Sequence, residues 1–302
     1  VKLPFDFGIR FLLRLVAPGA LLAAICLPLT RVLADLAYPA LDDDVLFITS
    51  GLIFGFSLLL LDMPIYMVFE GRRFWPDWLR SIGVARQSRR VDQLKKRADA
   101  ASGIMQVELD ILAHQYPIDR TTGSPYAPYP TRLGNLLARF ETYPTVKYGL
   151  DGVFFWPRLW VSIDKDLREE LDSAQAVVDG AIYCAFVFCI AALISVGYWA
   201  WLPSSAWWHW PASAVAFVVL ARLFYTLALP RYAQYGDLFE AVFDQYRKKL
   251  EFADLLADLD AETAAMPRMR TERERNRAVW RFLRWHRYRM PTETENSKIE
   301  NW

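Results

Sequence analysis

Three features of this chain predict an all-α integral membrane protein with two transmembrane helical hairpins and a helical cytoplasmic region. First, residues 180–202 are 23 consecutive residues without a charge, and 210–229 are apolar except for Arg222. A run of about 20 apolar residues crosses the hydrocarbon core as a helix. Second, the turn between these runs is crowded with Tyr198, Trp199, Trp201, Trp207, Trp208 and Trp210, the composition of an interfacial aromatic belt. Third, the apolar residues, 54% of the chain, gather in four blocks with charged segments between them. Inside a bilayer only a helix or a closed barrel satisfies the backbone, and runs this long suit the helix.

The first block is expected to span from Phe11 to Thr30, after a short amphipathic lead-in over residues 1–10. Lys2, Arg10 and Arg14 precede the apolar run as in a signal peptide, but no small-x-small cleavage site follows, so the run reads as an uncleaved first helix. Its strictly uncharged part, Leu15 to Thr30, is 16 residues long. That is only about 24 Å of helix, so Arg14 is expected to snorkel to one interface and Arg31 to the other. Pro18-Gly19 predicts a local bend.

Asp35, Asp42, Asp43 and Asp44 mark the following loop, which lacks EF-hand spacing and reads as a solvated turn. The second span begins at Val45, meets Asp62 and Pro64, and ends at Glu70-Gly71. Gly51 and Gly55 form a G-x-x-x-G face that admits a closely packed helix.

Nine Lys and Arg residues lie between 72 and 97, against one in the 31–44 loop. The positive-inside rule therefore places the 71–179 connection and both termini in the cytoplasm, with 31–44 and 203–209 outside. Within the connection a helix is expected over 83–115, weakened at Gly103, followed by an irregular Tyr-, Pro- and Gly-rich stretch over 116–130. Thr131 reads as the cap of a short helix from Arg132 to Glu141 that Tyr143-Pro144 ends. The aromatic stretch Phe154 to Trp160 is expected beneath the bundle or against the inner leaflet. From about Ile163 an amphipathic helix is expected to continue into the third span as one rod. Pro230-Arg231 marks the inner end of the fourth span. Residues 232–260 follow as a helix with Leu238, Val242, Phe243, Tyr246, Leu250 and Leu255 near one face. Pro267 breaks it, a basic helix covers 268–289, and 291–302 is polar. The resulting division is 1–70 first hairpin, 71–179 cytoplasmic connection, 180–230 second hairpin and 231–302 C-terminal helices.

At Thr131-Arg132-Leu133-Gly134-Asn135, Lys147-Tyr148-Gly149-Leu150-Asp151, Trp156-Pro157-Arg158-Leu159 and Tyr235-Gly236-Asp237-Leu238, the chain resembles a family of uncharacterised bacterial multi-pass membrane proteins. The resemblance covers about 131 to 250. It implies an inner (plasma) membrane protein with two helical hairpins and brings no activity with it. Two hairpins with a large cytoplasmic loop are also similar to the topology of proton-driven motor stators, by analogy alone.

Chemistry is sparse. A net charge of +1 offers no bulk attraction for nucleic acid. Cys26, Cys184 and Cys189 all lie in apolar blocks and read as small core residues. His114 pairs by spacing with Asp110, His209 sits in the tryptophan turn, and His286 lies among arginines; none has the companions of a metal site. No H-E-x-x-H, Walker loop, nucleophile elbow or CxxC occurs, so no catalytic residue, metal or cofactor is assigned. In the basic tail, Arg277 and Arg281 interleave with Trp280 and Trp285, a pattern suited to lipid or partner contact. The five acids and no bases of 251–262 offer an internal alternative, an antiparallel pairing of the last two helices. Arg14, Asp62 and Arg222 form an intramembrane charge layer, Asp62 and Arg222 about 12–14 Å from the inner boundary. Charges at that depth face the bundle interior and pair, so Asp62 is expected to pair with Arg222 or with Arg14, within the chain or across a subunit boundary. The leading functional expectation is a non-enzymatic membrane protein, self-associating or a subunit of a membrane complex. An ion channel or membrane-conducting effector is the alternative, and a lipid-active enzyme a third reading.

Overall fold

The computed structural model describes residues 9–37, 41–100, 111–112, 114–117, 128–201, 208–250, 252, 255, 257 and 271–285. Among them every regular element is helical. Four helices are long and apolar enough to cross a membrane.

Helix α1 is one rod in three parts: Ile9–Phe11, a π-turn over Leu12–Val16, and Ala17–Ala37. The π-turn follows from Pro18. Proline has no N–H to give the Arg14 carbonyl four residues back, and the Ala17 N–H bonds to the Leu12 carbonyl five residues back instead. Helix α2, Asp43–Leu60, starts where the Asp42 carboxylate accepts from the Asp44 N–H at 2.9 Å. Helix α3, Asp62–Glu70, ends at left-handed Gly71. Helix α4 is Asp77–Ala100; Val91 and Leu94 on it bury a small cluster with Leu112 and Tyr116.

Helix α5, Arg132–Tyr148, is capped by Thr131, whose hydroxyl accepts from the Gly134 N–H at 3.0 Å. Helix α6, Gly152–Ser162, is capped by Asp151 through the Phe154 N–H at 2.8 Å. Helix α7, Lys165–Trp201, is one unbroken rod of 37 residues, matching the continuous helix expected from Ile163. Helix α8, His209–Tyr246, has 38 residues and runs into a 3-10 turn, Arg247–Lys249. Helix α9 is Glu272–Trp285.

Helix α7 packs along α8, and α1 along α2. The pairs join where α1 crosses α7. At one end of the bundle α5, α6 and α9 form a helical layer: α5 on α8 and α3, α6 on α5 and α8, α9 on α5. One core runs through both parts, from Leu22 and Leu58 through Ile182 and Tyr183 to Phe140, Phe155, Phe239, Phe243 and Val279.

Several boundaries differ from the sequence expectation. Two prolines do not stop their helices: α5 passes Pro144 and α8 passes Pro230. A proline inside a helix costs about 3 kcal/mol. Beyond Pro230, α8 buries Tyr232, Tyr235, Phe239, Val242 and Phe243, and each such side chain contributes about 1.5–3 kcal/mol, so packing outweighs the lost bond. The second span, expected to be continuous, breaks at Leu61 (φ −90°, ψ 10°). Pro64 cannot donate to the Leu60 carbonyl and crowds it. The first helix continues seven residues past Thr30 to Ala37. Cys189 is exposed rather than buried like Cys26 and Cys184. The helix expected over 232–260 ends at Tyr246. The acidic stretch 251–262 falls largely outside the described residues, as do 1–8, Gly103, Asp110, Trp207, His286 and 291–302.

Candidate functional site

The densest polar arrangement lies where α1, α3 and α7 meet. The π-turn sets Arg14 against α7, where its Nε donates to Asp179 Oδ2 at 2.7 Å and its Nη1 to Asp172 Oδ1 at 2.8 Å. One turn earlier, Arg10 Nη1 donates to the other Asp172 oxygen at 2.7 Å, and its Nε to Ser173 Oγ at 3.1 Å. Tyr66 of α3 donates to the second Asp179 oxygen at 2.5 Å, and Tyr183 of α7 donates to Asp62 at 2.7 Å. Asp179 is only 4% exposed. Two arginines and two aspartates therefore balance each other, and both Asp179 oxygens are occupied. A buried ion pair is tolerable when its remaining lone pairs are satisfied in this way.

The expected charge layer is thus only partly assembled. Arg14 does enter the bundle, but its partners are Asp172 and Asp179 rather than Asp62. Asp62 is held by Tyr183 and forms no ion pair with Arg14 or Arg222 among the described residues. Arg222 lies on an outward face of α8, 5.8 Å over the ring of Tyr225. The helical register decides this: Arg222 lies one residue past the buried Ala221, and so about 100° round the helix from it.

The glycines expected to pack a helix do so within the chain. A methyl at Gly19 would lie 2.3 Å from the Gly51 carbonyl oxygen, and one at Gly55 would lie 2.5 Å from the Leu15 carbonyl. A methyl at Gly51 would meet nothing nearer than the Ala20 Cα at 3.7 Å. The close approach belongs to α1 on α2 and is set by Gly19 and Gly55.

A second polar node ties α3 to α5. Arg72 Nη2 donates to Glu141 Oε2 at 2.5 Å, and Arg72 Nε lies 3.3 Å from Glu70 without hydrogen-bond geometry. Burial pushes the Glu70 carboxyl up to about 7; Arg72 opposes this, while Glu141 and Asp62 add repulsion. Burial also raises Glu141, against the pull of Arg72. A third node latches α5 to α8: Asp244 accepts from Tyr148 at 2.6 Å and from Lys147 at 3.1 Å, and Arg247 stacks 4.2 Å over Tyr148.

The tail residues divide. On α9, Trp280 packs against the core beside buried Val279, while Arg277 is exposed and Arg281 half-buried. The side chain of Trp285 lies outside the described residues. Helix α9 docks on the end of α5 through Asn276, which donates to the Tyr148 carbonyl at 2.8 Å, and through Arg273 to the Val146 carbonyl. Arg247 and Glu272 add an ion pair at 3.2 Å.

Sequence reasoning missed Tyr66, Asp172, Asp179, Tyr183 and the Glu70–Arg72–Glu141 node. A signal existed for the first group. Arg10 and Arg14 are four apart, and Asp172 and Asp179 seven apart, so each pair lies on one helix face. Among the described residues no three His, Cys, Asp or Glu side chains are grouped to hold a metal ion. No protein-family model, curated protein or solved structure matches the chain, so the resemblance seen over 131 to 250 has no match behind it.

Proposed function

We propose that this chain is a non-enzymatic, multi-pass membrane protein that couples a membrane bundle to a helical platform and works as an oligomer or as a subunit of a membrane complex. The observation that carries this reading is the continuity of α7 and α8. Each runs as a single helix of 37 or 38 residues from the apolar bundle into the layer of α5, α6 and α9. A rigid helix shared by two layers transmits any tilt of one to the other. The buried polar groups support a structural role, because they are spent on one another: the arginines on aspartates, the tyrosines on carboxylates.

The basic residues between 72 and 97 support an inner, cytoplasmic placement of the platform and both termini, and the resemblance over 131 to 250 is what points to a bacterial inner membrane. Cysteine labelling in intact cells tests the sidedness: protection at position 95 and labelling at 43 is the expected outcome, and the reverse overturns it. Mass measurement of the full chain purified in mild detergent tests the assembly. A mass above one chain, or a stoichiometric second subunit, is expected; a lone monomer after mild extraction sinks the proposal.

One observation favours an ion-conducting reading as the second. Asp62, Tyr183, Tyr66, Asp179, Arg14 and Asp172 form a polar line inside the bundle. Proton or cation flux in liposomes that is lost in Asp62→Asn would turn the assignment to a channel.

A further inference from the structure

Outside the nodes above, Arg90 and Arg132 converge, with the like charge of Arg222 felt at Arg132, and no described residue lining their cavity is an acid. A cavity of about 290 Å³ opens where α4, α5 and α8 meet, lined by Arg90, Arg132, Gln115, Tyr116, Leu136 and Thr226, among others. Arg132 is the first residue of α5, so the positive end of that helix's dipole adds to the charge, although the Thr131 and Tyr225 hydroxyls already accept from the Gly134 and Leu133 N–H groups. Arg132 is exposed and forms no hydrogen bond or ion pair among the described residues. Arg90 spends its Nη2 on Gln115 Oε1 at 2.8 Å, but its Nη1 is buried and unpartnered. Desolvation, then the like charges of Arg90 and Arg222, lower the Arg132 pKa. Gathering like-charged guanidinium groups costs free energy, and a buried donor left without an acceptor adds to that cost. An anion with several acceptor oxygens removes both costs at once.

The place of the cavity says more. It lies at the end of the apolar part of α8, where Thr226, Leu229, Pro230 and Ala233 line it. One face of α8, read in steps of three and four residues, runs Val215, Val218, Val219, Arg222, Thr226, Pro230 and Ala233. Its first part is exposed and apolar, Val215, Val218 and Val219 being 65%, 58% and 61% exposed. Its last part lines the arginine cavity. A ligand with an anionic head and an apolar tail matches both halves: the head among Arg90 and Arg132, the tail along the valines. Phe74 just before α4 and Trp78 and Ile82 on its first turns form an exposed apolar stretch, 71%, 64% and 58% exposed. That stretch suits the interface of a bilayer better than water.

We infer that this cavity binds a phosphate group, carried by the headgroup of an anionic phospholipid in the leaflet that faces α4 and α5. The inference rests on the four apolar helices crossing a membrane and not on the assembly proposed above, so a monomeric protein would leave it intact. The experiment uses the full chain in zwitterionic detergent, with short-chain phosphatidylglycerol, short-chain phosphatidylcholine and inorganic phosphate as separate probes, and thermal melting as readout. Phosphatidylglycerol is expected to raise Tm where phosphatidylcholine does not. A charge-assisted contact is worth enough that Arg132→Gln should weaken the apparent affinity about tenfold, and Arg132→Lys should recover part of it. The Arg132 side chain makes no hydrogen bond or ion pair among the described residues, so this variant should keep the fold, and its unliganded Tm reports that directly. Lys165→Gln, at an 80% exposed side chain at the start of α7, is the control and should leave the lipid response unchanged. A response to inorganic phosphate as strong as to the lipid keeps the phosphate site and moves its source to a soluble ligand. Equal responses to the two lipids, an undiminished response in Arg132→Gln, or no response to any probe overturns the inference.

Discussion

Asp179 on α7 and Arg222 on α8 are charges on neighbouring, equally uninterrupted helices, and the protein treats them in opposite ways. Asp179 is buried and fully bonded by Arg14 and Tyr66. Arg222 is exposed, with an aromatic ring as its neighbour. The helices differ in the same sense: 61% of the most apolar window of α7 is buried, against 17% for α8 and 22% for α2. Helix α7 is the axle of the bundle and α8 one of its walls. Both are apolar enough to cross a bilayer, so hydropathy does not rank them. What singles out α7 is that its polar residues, Asp172, Asp179 and Tyr183, turn inward toward partners on α1 and α3.

The largest effect should come from opening the axle. Arg14→Leu leaves Asp179 buried without its counter-charge, and breaking a buried pair from one side costs about 3–5 kcal/mol. Thermal melting in detergent should show a large loss for Arg14→Leu. The double variant Arg14→Leu/Asp179→Leu should regain much of it, because no uncompensated charge remains. A double variant no better than the single would mean that the pair is not the source of the loss.

The close contact of α1 and α2 comes next. Gly19→Ala and Gly55→Ala place a methyl 2.3 and 2.5 Å from backbone oxygens, and overpacking of that kind costs about 1–3 kcal/mol. Gly51→Ala meets nothing nearer than 3.7 Å and should be neutral or slightly stabilising through helix propensity. If melting ranks Gly51 with Gly55, α1 and α2 cross differently from the structure.

The Glu70 node should show in the pH dependence of stability. Its folded-state pKa, about 7, lies above the ordinary 4.5. The folded protein therefore holds the proton more tightly, and stability is lost as pH rises from about 5 through 7. The size is of the order of 3 kcal/mol for a rise from 4.5 to about 7. Glu70→Gln should flatten the melting profile between those limits; an unchanged slope would assign it to other groups.

The smallest effect belongs to Arg222. Arg222→Gln in detergent should stay within about 0.5 kcal/mol of the parent, as for other exposed positions. Combined with Asp62→Asn it should be additive, because the two side chains share no contact. A coupled double variant would bring Asp62 and Arg222 together after all and erase the contrast between the axle and the wall.

Much of the scaffold was readable in the residues. The four apolar blocks, the unbroken rod into the third span, the Thr131 cap and an irregular turn beside Pro18 are consequences of local chain properties. Each depends on run length, periodicity or a missing N–H within a few residues. The same local reasoning misjudged Pro144 and Pro230, because a proline's cost is local while the burial that outweighs it, at Phe140, Tyr232 and Phe239, comes from distant segments.

By itself, then, the sequence determined that this chain is helical and carries four segments apolar enough to cross a membrane, since those properties follow from hydrophobicity along the chain. Only the tertiary structure decided which polar groups meet. Arg14 finds Asp179 across 165 residues, and Tyr183 finds Asp62 across 121. Those pairings depend on how far each helix is turned about its axis. A single π-turn at Leu12–Val16 changes that rotation for Arg14, and the glycines that bring α1 onto α2 set its depth. Helix rotation likewise leaves Arg222 on the outside of α8 and brings Arg90 and Arg132 to one cavity, a pairing that no spacing rule links.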